Sequence, residues 1–152
     1  MIPPKLTESG GWVNGITHHP TPNSSWGMQV PSGVSGLIFH TMVGNLPGTD
    51  SVFMNPSFQA SAHFGIAQDG EIIQWVSVQG GIAWAEAAGN PNWYSCEMAD
   101  DANTYNPYTQ AQLDQAGQLA EFLSRIGIFP LLVTVSVSGE GLGTHAMGGL
   151  AW

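Results

Sequence analysis

The sequence predicts an α/β domain in which one mixed β-sheet is flanked by helices. Three observations carry that expectation. Apolar runs of strand length, bounded by turn residues, recur at 36–40, 62–67, 72–76 and 94–98. One longer stretch, from Thr109 onward, repeats its apolar residues with helical spacing. Strand-like and helical segments are interleaved, which is the order of a sheet covered by helices.

Residues 1–35 are rich in Pro, Gly, Ser and Thr and read as an irregular arm, pinned to the body by Trp12 and Trp26. The domain itself is assigned to residues 36–152. It opens with Gly36-Leu37-Ile38-Phe39-His40, a short buried strand that ends on a histidine. Residues 44–58, with two prolines, form a loop with room for a short helix. Asp69-Gly70 between two strand-like runs is the signature of a hairpin with a type I′ turn. In the strand Tyr94-Ser95-Cys96-Glu97-Met98, a period of two puts Tyr94, Cys96 and Met98 on one face and Glu97 on the other. The helix begins at Thr109, with Gln112 three residues on as in a capping box. Leu113, Ala116, Ala120 and Leu123 form its apolar stripe, which Leu119, Phe122 and Ile126 widen. Gly127 and Pro130 stop it. The β-branched run from Leu131 to Val137 reads as a final strand before the glycine-rich stretch that leads to His145.

Composition narrows the function. At 152 residues and 43% hydrophobic content the chain supports one domain with a real core. The net charge is −9, with Lys5 and Arg125 the only cations. Phosphate recognition needs clustered Lys and Arg, so nucleic acid is excluded as a partner, and so is a polybasic membrane contact. No run approaches the ~20 apolar residues of a membrane span. Met1 to Lys5 contain no apolar leader core, so export would depend on another component. Cys96 is the single cysteine, which rules out an internal disulfide.

Three residues stand out as candidates for chemistry. His40 ends an apolar strand, where an open sheet presents side chains to a crevice. His145 follows a glycine-rich loop. Neutral imidazoles bind zinc well, but a histidine in a short strand is also a common hydrogen-bonded core residue. Glu97 is a carboxylate in a strand otherwise built of Tyr, Ser, Cys and Met; it faces either a cavity, where it could act as a base, or solvent. Trp75 and Trp84 fit a sugar-binding groove or the core. His63 fits either the cleft or a structural hydrogen bond, and His18 and His19 in the arm are expected to be solvated.

Read as an ordered series, these motifs resemble the N-acetylmuramoyl-L-alanine amidase type 2 group, related to peptidoglycan recognition proteins. The resemblance is strongest to the amidase domains of phage endolysins from actinobacterial hosts. It runs from Gly36 to Trp152. It is carried by His40-Thr41-Met42-Val43-Gly44, Ser61-Ala62-His63-Phe64-Gly65-Ile66 with Asp69-Gly70 and Gln74-Trp75, Ala83-Trp84 through Gly89-Asn90, Glu97 in its strand, and Gly143-Thr144-His145-Ala146-Met147-Gly148-Gly149.

The resemblance implies a Zn2+ held by His40 and His145, Glu97 as the catalytic carboxylate, and substrate contacts from Thr41, His63, Trp75, Trp84, Asn90 and Thr144. It also implies a third ligand, Cys or Asp, several residues after the late histidine. Ala146 to Trp152 contain neither, so the domain is expected to be cut short at its C-terminus. Relatives that lack the cysteine bind wall fragments without cutting them, which makes a non-catalytic peptidoglycan-binding module the alternative reading. Ala62 stands where some relatives carry a catalytic tyrosine. Ala85 stands where many carry histidine, leaving Glu86 as the polar residue that could replace it. The implied setting is a monomeric, phage-encoded enzyme acting on the host's peptidoglycan.

Overall fold

A computed structural model describes residues 5–103 and 107–151. The readings of Met1 to Pro4 and of Trp152 lie outside it. Ten strands and two α-helices follow the chain in the order β1 (Glu8–Ser9), β2 (Trp12–Val13), β3 (Thr17–His18), β4 (Ser24–Trp26), β5 (Gly36–Thr41), α1 (Leu46–Phe53), β6 (Phe64–Ile66), β7 (Ile72–Gln74), β8 (Gly81–Ala83), β9 (Trp93–Met98), α2 (Gln110–Gly127) and β10 (Gly141–Thr144). Six strands form the main sheet in the order β10-β5-β9-β6-β7-β3. Only the β6–β7 hairpin is antiparallel; the other pairings in this sheet are parallel. The expected mixed sheet is therefore present, and four of its strands run side by side in one direction.

The alternation of each strand divides the core. Leu37, Phe64, Ile66, Ile72, Tyr94, Cys96 and Met98 face α2, where Ala116, Leu119, Ala120, Phe122 and Leu123 cover them. Ile73 and Trp75 turn the other way and pack with Leu46 and Phe53 of α1. Helix α1 starts on Asn45, whose side chain caps the Gly48 amide, with Pro47 in the first turn where a missing N–H costs nothing. Helix α2 starts on Thr109 with the full reciprocal capping box to Gln112.

Several expectations are corrected. The helix stripe is buried as expected at Ala116, Leu119, Ala120, Phe122 and Leu123, but at its start Leu113 is half exposed and Gln112 is fully buried. Its amide donates to the Ala99 and Ile66 carbonyls, tying α2 to the ends of β9 and β6. The hairpin does not use a type I′ turn. Gly70 takes the left-handed conformation (φ 92°) but Asp69 does not, and the Gly70 N–H closes a turn on the Ala67 carbonyl. The run 131–137 forms no strand. Val133 makes an isolated bridge to Leu142, and Leu131, Leu132, Val133, Val135 and Val137 stay exposed. The final strand is instead Gly141–Thr144, inside the glycine-rich stretch. A Cβ on Gly36 would lie 1.9 Å from the Gly141 carbonyl oxygen, so β5 and β10 can meet this closely only because glycine stands there.

The arm is not irregular throughout. Residues Thr17–His18 add an edge strand beside β7, and β4 pairs with β8. Such two- and three-residue strands leave no periodic trace. Trp26 is 73% exposed, with its ring against Gly80 rather than in the core; buried Val13, Thr21, Asn23 and Met28 anchor the arm. The Asn23 amide donates to the Phe53 and Asn55 carbonyls. The histidines expected to be solvated are exposed but bonded: His18 through Nε2 to the Val13 carbonyl, and His19 to the Asp50 carboxylate.

His63 belongs to the core. It is fully buried, its Nε2–H donates to the Gly81 carbonyl, and its Nδ1 accepts from the Ser95 amide. Burial pushes the imidazole down to about 4, with the Gly81 bond pulling weakly the other way.

Two outcomes are expected. Gly36→Ala should destabilise the fold by more than 2 kcal/mol in urea titrations, because backbone rather than a flexible side chain blocks the added methyl. In the second, His63 binds its proton less readily folded than unfolded. Its stabilising effect is therefore complete above pH 6.5 and is lost as pH falls towards 4. Across that window the loss is about 3 kcal/mol, and the corresponding slope should vanish in His63→Gln.

Candidate metal and catalytic site

The four parallel strands end on a shared rim, and the site sits there, where open α/β sheets place their crevices. Parallel pairing sets His40 of β5 directly opposite Glu97 of β9. On the other side of β5, Thr144 of β10 lies opposite Phe39, so His145 follows next to His40. Residues 105 apart in sequence thus become neighbours through two strand registers.

The two imidazoles approach with Nδ1 facing Nδ1 at 3.2 Å and their rings edge to face. Two nitrogens sharing a tetrahedral zinc at about 2.0–2.1 Å each would stand about 3.3 Å apart, so this spacing fits a common ion. The other nitrogen of His40, Nε2, lies 2.9 Å from Glu86 Oε1. Among the described residues no set of three His, Cys, Asp or Glu side chains is arranged around one metal position.

Electrostatically the site is short of positive charge. Glu86 is fully buried, and Glu97 lies beside it on the cleft floor. Each has one carboxylate oxygen, Oε2, that is buried without a hydrogen-bond partner among the described residues. Burial raises the Glu97 carboxyl above its ordinary range; His40 pulls it part of the way back and Glu86 pushes it up again. Burial likewise raises Glu86. Burial lowers His40, against the opposing pull of Glu97, which favours the neutral imidazole that ligates metals. Lys5 and Arg125 sit elsewhere, both beside Glu121.

The cleft around the histidine pair has a volume of about 420 Å³ and is lined by Phe39, His40, Thr41, Glu97, Tyr108, Thr144, His145 and Ala146. A second hollow of about 380 Å³ continues past Glu97 between Met42 and Phe53. Glu97 lines both, so it stands in the middle of one groove with the histidines on one side and α1 on the other.

The sequence-derived candidates separate into two groups. His40, His145, Glu97, Thr41 and Thr144 are brought together. His63 and Trp75 are not, and these two are corrections: both are buried, and the Trp75 indole donates to Asp50 on the outer side of α1. The central strands are covered on both faces, so their alternation does not separate core from cleft. Trp84 donates to Ser25 Oγ away from the histidine pair. Asn90 accepts the Ala85 and Glu86 amides through Oδ1 and so fixes the turn that carries Glu86. Glu86 points inward to His40, so it does not replace a substrate-contacting histidine. Tyr108 is a cleft residue that sequence reasoning missed; its hydroxyl lies 2.8 Å from Thr41 Oγ1. It precedes the α2 cap in a loop, where no periodicity marks it.

Comparison with known proteins gives the family and the fold. N-acetylmuramoyl-L-alanine amidase A of Achromobacter lyticus is 43% identical over 68 residues, which are 44% of this chain and 37% of that protein. The chain therefore matches little more than a third of that relative's length. Among solved structures, a selenomethionine derivative of AmpD superposes with a TM-score of 0.71 at 20% identity, covering 92% of this chain and 86% of that one. The Staphylococcus aureus hydrolase AmiA, in complex with its ligand, gives 0.68 at 16% identity over 88% of this chain and 66% of that one. These two likenesses establish the fold. Residues 13–140 match the family described as N-acetylmuramoyl-L-alanine amidase, and the chain belongs to that family.

Proposed function

We propose that this chain is a zinc-dependent N-acetylmuramoyl-L-alanine amidase that hydrolyses the amide between muramic acid and L-Ala in peptidoglycan. The observation that carries the reading is the Nδ1–Nδ1 spacing of His40 and His145 beside a buried carboxylate in an open groove. The charge balance supports it as well, since two buried carboxylates with unpartnered oxygens and no Lys or Arg call for a cation. Zinc held by the two imidazoles would supply Lewis acidity, which makes water a competent nucleophile near neutral pH and polarises an amide carbonyl.

The chain's own residues account for the remaining work. Glu97 accepts a proton from the attacking water as its oxygen bonds to the lactyl carbonyl carbon. The same carboxyl then returns that proton to the L-Ala nitrogen as the C–N bond breaks. A carboxyl raised by burial suits both roles, because burial makes it a better proton acceptor than an ordinary carboxylate. Thr144, exposed at the cleft edge, would donate to the carbonyl oxygen as charge develops there. The groove on both sides of Glu97 lets the glycan lie on one side and the stem peptide on the other. The motif series around His40, His63 and His145 supports an endolysin setting for this activity.

The test is cleavage of a synthetic muramyl dipeptide by the zinc-supplemented chain, read as released amine. Glu97→Gln should lower turnover by about 10²–10⁴-fold while leaving substrate binding measurable. His40→Ala should weaken zinc uptake and abolish turnover, and a chelator should reproduce the loss of turnover in the parent chain. Unchanged turnover in Glu97→Gln would overturn the assignment. Tight muropeptide binding by the parent chain without any cleavage would favour the wall-binding module.

A further inference from the structure

Glu86 is the residue whose placement the amidase chemistry does not require. It is a fully buried carboxylate in a chain with few buried charges, and it is held there deliberately. The turn that carries it is clamped by Asn90, whose Oδ1 accepts from the Ala85 amide at 2.9 Å and the Glu86 amide at 2.6 Å. The residues just beyond, Ala87–Gly89, close into a 3₁₀ turn. From this fixed base Oε1 reaches His40 Nε2 at 2.9 Å, and the opposite ring nitrogen, Nδ1, is the one that faces His145. The His40 side chain is only 9% exposed, so no water competes freely for that Nε2 contact.

Among the described residues, His40 is the side-chain partner of the Glu86 carboxylate. An imidazole offers two nitrogens, and only the one without a proton can bind a metal. A fixed oxygen at Nε2 holds the proton on that nitrogen and keeps the Nδ1 lone pair directed into the cleft. It also fixes the ring plane, which would otherwise turn about χ2 and lose the 3.2 Å meeting with His145. Outer carboxylates that orient ligating histidines change metal affinity substantially when they are removed.

We propose that Glu86 is a positioning residue for the metal site: it holds His40 in the Nε2–H form with Nδ1 presented towards His145. The role rests on the zinc reading given above, but its first half concerns the metal-free protein and is measured there. Glu86 touches neither substrate nor the reacting atoms. It acts through His40.

Nitrogen-15 NMR of histidine-labelled, metal-free protein reads the His40 tautomer directly, and zinc titration against a competing chelator reads affinity. The parent chain should show His40 protonated at Nε2. Glu86→Ala should give a mixture of tautomers and a zinc dissociation constant weakened on the order of 10–100-fold. Glu86→Gln, whose amide oxygen can accept the same Nε2–H, should keep the tautomer and lose less affinity. Because the alanine variant removes a buried side chain, thermal melts of both metal-free variants accompany the titrations, and the glutamine variant decides if the alanine variant does not fold. Parent-like zinc affinity in both variants, or a His40 tautomer in Glu86→Ala that matches the parent chain, would overturn the role of Glu86 while leaving the zinc site intact. A parent chain that takes up no zinc while His40 stays in the Nε2–H form would instead overturn the zinc reading, and with it the effect of Glu86 on affinity.

Discussion

The parallel pairing of β5 with β9 on one side and β10 on the other is the constraint on which the site depends. It places His40 opposite Glu97 and brings His145 in beside His40. A strand slipped by one residue presents its side chains to the other face. In β5 that slip would turn His40 towards α2 and into the apolar core. The register is held by side chains of opposite commitment on alternate positions: Leu37, Tyr94 and Cys96 under α2, His40 and Glu97 towards the cleft. On the β10 side it is held by glycine, because Gly36 and Gly141 meet too closely for any Cβ. The fold and the site are therefore one problem in packing. The contacts that cover the α2 face are the contacts that aim the histidines.

Charge is the second theme. A chain with two cations and a net charge of −9 has nevertheless buried two carboxylates in one place. Burial alone drives such groups towards their neutral forms, as the direction of their shifts shows. The proposed divalent ion would balance both carboxylates while neutral imidazoles held it. Glu86 and Glu97 then have separate tasks despite their similar surroundings. One is bonded to the back of His40 and closed off from the groove. The other opens onto both hollows.

Much of this was legible in the residues. The strand ending on His40, the strand carrying Glu97 and the capped helix α2 all follow from local periodicity and cap chemistry, which act within a few residues. The partnership of His40, His145 and Glu97 came from the ordered motifs, since no local rule links positions 40 and 145. What escaped was decided by tertiary context. His63 and Trp75 carry the marks of cleft residues, but they flank β6 and β7 where the chain is covered on both sides. The β-branched run at 131–137 has strand propensity, yet the sheet edge is taken by the glycines that fit there, and propensity yields to fit. The arm's short strands are paired by backbone alone. Glu86 looked like a substitute for a missing histidine, and only the third dimension shows it behind His40.

The central claim is that one ion sits between His40 and His145. X-ray absorption at the zinc edge of the loaded protein tests it most directly. The account predicts two imidazole nitrogens at about 2.0–2.1 Å in the parent chain, and a single one when either histidine is replaced by alanine. A spectrum without imidazole scattering, or one unchanged by both substitutions, would contradict it.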